Sequence, residues 1–172
     1  MPTIRWLAGV GVVVAMVCVL GGRPSTLAHE ADGHPARIQH GTCDNLGEVA
    51  FQLTGVGATV SPQGTPVVPA AAIGAESAYP LQTSETTLET GLTPLTRDPY
   101  AIVVYESDEA MGQAIACGNL GGVITAQMAG MIMPGDVLTI WLPGTGDSVT
   151  TGVAQIEANG TQAIVRLFLA NG

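Results

Sequence analysis

The segments DVLTIWL (136–142), VTTGVAQIEA (149–158) and TQAIVRLFLA (161–170) follow one another with only PGTGDS (143–148) and Asn159-Gly160 between them. Each is a short apolar run rich in β-branched residues and bounded by turn formers, which predicts a strand. Asn159-Gly160 predicts a two-residue hairpin, because both residues tolerate positive φ. Three consecutive strands with tight turns form an antiparallel meander, and this decides the fold class.

The rest of the chain repeats the pattern. VAFQL (49–53), YAIVVYE (100–106), QAIACG (113–118) and GGVITA (121–126) read as further strands, and MPGD (133–136) as a turn. Only residues 108–113 suggest a helical turn. Residues 61–98 are rich in Pro, Ser, Thr, Gly and Ala and read as a loop-rich insertion. Two short edge strands are expected within it, near 64–68 and 84–88. There is no internal repeat. Many short strands without a long amphipathic helix imply an all-β, antiparallel sandwich or barrel in a single domain. Trp141, inside a strand, is expected in the core.

Charge narrows the possible partners. The 172 residues contain 14 Asp and Glu against five Arg and no Lys, a formal charge of −9. No basic patch can be assembled from so few cations, which excludes nucleic acid and an anionic membrane surface. With 47% apolar and 11% charged residues, disorder of the whole chain is excluded as well.

The first residues read as an address. Arg5 precedes the apolar stretch WLAGVGVVVAMVCVLGG, and small residues follow at Thr26 and Ala28. That is the layout of a secretory signal peptide over residues 1–28, cleaved near Ala28, and it places the protein outside the cytoplasm or in the cell envelope. Residues 29–172 then carry three Arg against 14 acids, a charge of −11. They keep two cysteines, Cys43 and Cys117, and an even pair in an exported chain implies a disulfide.

Three segments together carry a family resemblance: HPARIQHGTC (34–43), YAIVVYESDEAMG (100–112) and AIACGNLGGV (114–123). The second and third resemble the copper/zinc superoxide dismutase signatures, a Val-Val-His-Glu strand followed by a Leu-Ala-Cys-Gly-Val-Ile-Gly strand. The first is similar to the His-Pro-Ala-His-Ile-His-x-Gly-Thr-Cys segment of exported bacterial CHRD-type domains. The resemblance implies a Greek-key sandwich and a disulfide between Cys43 and Cys117. In the dismutases a strand–turn–strand–turn–strand unit precedes the His-x-His strand. Here such a unit stands at the far end, 137–170, an order that resembles a circular permutation. A permutation would place 137–170 beside the strand at 34–40; the alternative is another Greek-key order.

The resemblance also locates the chemistry, and there the residues depart from the pattern. Copper/zinc dismutation requires imidazole ligands. The copper-strand His-x-His matches Arg37 and Gln39; the Val-Val-His position is Tyr105; the anion-guiding arginine, three residues before the cysteine, matches Ala114. Arginine cannot ligate a metal, and a glutamine oxygen is a poor copper ligand. No histidine follows His40, where the family's zinc ligands lie. These are degenerate metal-site positions, and they imply a structural or binding role, with a protein or cell-envelope partner, without catalysis or cofactor. Tyr105 is expected packed with its hydroxyl bonded, and Arg37 paired with a carboxylate.

The competing reading is a copper-binding protein or dismutase with a rearranged site built from His29, His34 and His40. His29 would carry a free α-amino group after cleavage, and amine plus imidazole chelates copper. On an extended strand, however, His34 and His40 stand about 20 Å apart. The run YESDE (105–109) offers oxygen ligands for calcium, or a solvated turn, and Ser107 within it has no histidine nearby in sequence.

Overall fold

The computed structural model describes residues 33–57, 81–125 and 131–170. The predicted signal peptide, His29 and the predicted strand near 64–68 lie outside the described residues. Among the described residues, nine strands and one short helix are arranged in the order β1 (His34–Thr42), β2 (Asn45–Val56), β3 (Gln82–Leu88), α1 (Leu92–Leu95), β4 (Tyr100–Tyr105), β5 (Ala114–Asn119), β6 (Val123–Thr125), β7 (Val137–Leu142), β8 (Thr151–Asn159) and β9 (Gln162–Ala170). Among the described residues no helix is long and apolar enough to cross a membrane.

The strands form two antiparallel sheets. One has the order β2-β1-β4-β5, the other β3-β9-β8-β7-β6. In β8 and β9 buried and half-buried residues alternate without a break, so one face of each turns to the core. Ile140, Leu142, Ile156, Val165, Leu167 and Leu169 meet Ile38, Ile102 and Val104 of the opposite sheet in one buried cluster. The all-β sandwich expected from the strand pattern is therefore what the chain forms.

Two corners close the sandwich. At one, the Gly57 N–H donates to the Thr83 carbonyl at 3.2 Å, and the Thr54 N–H to the Thr86 hydroxyl at 2.8 Å. At the other, the Cys117 N–H donates to the Pro143 carbonyl at 3.1 Å, and Ala116 bridges Gly144. Gly118 sits against the backbone of Trp141 here, where no side chain would fit.

Four expectations are corrected. The meander 137–170 does not pair beside the strand at 34–40. Both sides of β1 are taken, by β2 and β4, and β7–β9 close the sandwich from across the core. Trp141 is not in the core but 61% exposed. In β7 the inward positions are Leu138, Ile140 and Leu142, which leaves Trp141 on the outer face. Residues 108–113 form turns rather than helix, with Gln113 N–H bonded back to the Ala110 carbonyl at 2.9 Å. The helix lies in the loop-rich segment, where Leu92 and Leu95 fit into the core one turn apart.

The hairpin forms one residue later than Asn159-Gly160. Asn159 pairs with Gln162, leaving Gly160 and Thr161 as the loop, and only Gly160 takes positive φ, 64°. Glycine at the first position of a two-residue loop gives a turn whose twist matches the strands.

Candidate functional site

On β1, Ala36 and Ile38 point into the core, which turns Arg37 and Gln39 to the outer face of the four-stranded sheet. On β4, Ile102 and Val104 point inward and Ala101, Val103 and Tyr105 outward, into a second, smaller apolar cluster. The register sets Arg37 opposite Val103, Gln39 opposite Ala101, and Tyr105 opposite Ala114 of β5. Arg37, Gln39, Tyr105 and Ala114 thus occupy one face.

Three of these side chains are in direct contact. The Gln39 side-chain amide donates to the Tyr105 hydroxyl, and both residues are more than nine-tenths buried. The Arg37 guanidinium carbon lies 5.8 Å from the centre of the Tyr105 ring, a cation–π distance. The expected carboxylate partner of Arg37 is not there: among the described residues no ion pair reaches it, and its Nε is buried without an acceptor. The described arginine that does have carboxylate partners is Arg166 on the opposite sheet. It bonds Glu157 at 2.6 Å and Glu85 at 2.8 Å, and these two bonds, Glu157 first, raise its pKa further.

The Cys43–Cys117 disulfide borders the same face. Its α-carbons are 5.9 Å apart, and its sulfurs join the cluster of Ala101, Val103 and Tyr105, against which Met111 packs. Asn119 accepts the Cys43 N–H at 2.8 Å and so ties the β1–β2 turn to β5 beside the bridge. Asn119 and Met111 lie within the quoted motifs without being singled out by them; Asn119 is placed by its pairing with Ala101 and Met111 by the turn between β4 and β5.

His34 and His40 are not brought together. His34 Nδ1 lies 3.0 Å from the Glu106 carbonyl oxygen at the start of β1, and exposed His40 rests on the Tyr100 ring, 4.7 Å between centroids, near its end. Among the described residues no group of three His, Cys, Asp or Glu is placed to hold a metal ion. In the run 105–109, Glu106, Asp108 and Glu109 are exposed, and the Ser107 hydroxyl accepts the Ala110 N–H at 3.2 Å, which caps its own turn.

The arrangement is a set of hydrogen-bond donors on one face of the sheet. No protein-family model, curated protein or solved structure matches the chain.

Proposed function

We propose that the chain is an exported, disulfide-linked β-sandwich of dismutase-like and CHRD-like ancestry that serves a structural or binding role rather than catalysis. The observation that carries this reading is the mutual engagement of Arg37, Gln39 and Tyr105. At the positions where the dismutase pattern has imidazoles, this chain has side chains that bond and stack on one another. Gln39 and Tyr105 are buried and hydrogen-bonded to each other, and a buried polar contact of this kind specifies local structure. The Cys43–Cys117 bridge supports export, since such bridges persist in oxidising compartments. The partner is a protein or another component of the cell envelope.

Metal loading tests the reading. The purified protein is exposed to copper and zinc, freed of excess ion by dialysis, and analysed for bound metal and for superoxide consumption. The expected result is less than one copper per chain and no consumption above the buffer rate. Stoichiometric copper with turnover would overturn the proposal.

A further inference from the structure

We propose that the outer face around Arg37 binds a carboxylate. The inference deepens the binding role just described and rests on it. Arg37 is a cation without a counter-ion among the described residues, in a chain where acids outnumber arginines almost threefold. Among the described residues its Nε is shielded from water and bonded to nothing, and the guanidinium lies over the face of the Tyr105 ring. A buried N–H left unbonded is costly, and a ring face does not replace an oxygen acceptor.

Tyr105 adds a second donor. A phenolic hydroxyl has one hydrogen to give and lone pairs to receive with. Here a lone pair takes the Gln39 amide hydrogen, which leaves the hydroxyl's own hydrogen for an incoming acceptor. The guanidinium and this hydroxyl stand on the same sheet face with no carboxylate paired to either among the described residues. Both side chains are held before any ligand arrives, the first by the ring and the second by Gln39, so little freedom is lost on binding. The planar guanidinium fork matches a planar carboxylate better than it matches a spherical halide. Gln52, directly across β2 from Arg37, borders the site with a further amide.

Binding is tested on metal-free protein kept in chelator, at constant ionic strength with chloride as the balancing anion. Acetate is titrated while nuclear magnetic resonance follows the Arg37 Nε–H and the Tyr105 ring. The expected result is saturable shifts at both groups, weakened about tenfold in Arg37→Gln. Arg37→Lys keeps the charge but loses the fork, and is expected to weaken binding as well. Dispersed spectra of each variant establish that it is folded. Non-saturating shifts, equal affinity in Arg37→Gln, or saturation by sulfate but not by acetate would each overturn the inference. Copper-dependent superoxide turnover would sink the non-catalytic reading while leaving acetate binding to metal-free protein intact. Absence of both turnover and acetate binding would remove this inference alone.

Discussion

Gln39 on β1 and Tyr105 on β4 are joined side chain to side chain across the outer face of the four-stranded sheet, with the amide donating to the phenol oxygen. Neither residue can lose its partner cheaply, because both are buried. Tyr105→Phe should cost about 1–3 kcal/mol by stranding the Gln39 amide away from water. Gln39→Leu combined with Tyr105→Phe should cost less than the two single changes summed. Urea unfolding of the double-mutant cycle measures this, and additive losses would contradict it.

Gly118 of β5 lies directly against β7 of the opposite sheet. A β-carbon there would meet the carbonyl oxygen of Trp141 and lie 2.6 Å from Leu142 Cδ2. The backbone contact cannot move aside as a flexible side chain would. Gly118→Ala should therefore destabilise by about 1–3 kcal/mol. Gly112→Ala, where a β-carbon meets nothing within 4 Å, serves as the comparison and should be close to neutral. Thermal unfolding of the two variants side by side decides the point.

The bridge between Cys43 and Cys117 closes a loop with a sequence separation of 74. Reduction, or replacement of both cysteines by serine, should cost about 2–5 kcal/mol. The loss appears as a lower urea midpoint in the presence of reductant. An unchanged midpoint would mean that the reduced, unfolded chain is already restricted.

Trp141 is the sole tryptophan of residues 29–172 and is 61% exposed. Its fluorescence in the processed protein should be red-shifted and readily quenched by iodide. Trp141→Ser should change stability by no more than about 0.5 kcal/mol. A blue-shifted, unquenched emission would place the indole in an interior the structure does not give it.

Strands were legible because their signal is local. The alternation in 151–159 and 162–170 and the turn residues between them suffice to place β8 and β9. What local pattern does not carry is which face of a strand looks inward. Trp141 illustrates this: a large aromatic residue in a strand suggests core, but Leu138, Ile140 and Leu142 share the opposite parity and win the inside. The helix at 92–95 was missed for a related reason. Four residues give no periodicity to read, and only tertiary burial of Leu92 and Leu95 holds them.

The candidate site was half legible. Arg37, Gln39, Tyr105 and Ala114 were singled out by position within motifs, and the pairing of β1, β4 and β5 does set them on one face. Their bonding to one another was not legible, since nothing in sequence says that an amide four places before Cys43 meets a phenol twelve places before Cys117. The expected Arg37–carboxylate pair failed because the acids nearest in the motif, Glu106, Asp108 and Glu109, lie in an exposed turn beyond the end of β4.

Each sheet joins consecutive strands through short connections and also contains one pairing between strands far apart in sequence. β1–β2, β4–β5 and β7–β8–β9 are neighbours in sequence and in space, whereas β1 must meet β4, and β3 must meet β9, across long stretches of chain. Pairing that requires a long loop to close is slow, and pairing between consecutive strands is fast. The hairpins and the meander thus have a built-in head start, and the β1–β4 pairing that sets Arg37 beside Tyr105 is among the late steps of the fold. With the Cys43–Cys117 bond already made, that late step begins from a shortened search. Oxidised chains should accordingly refold faster than reduced ones.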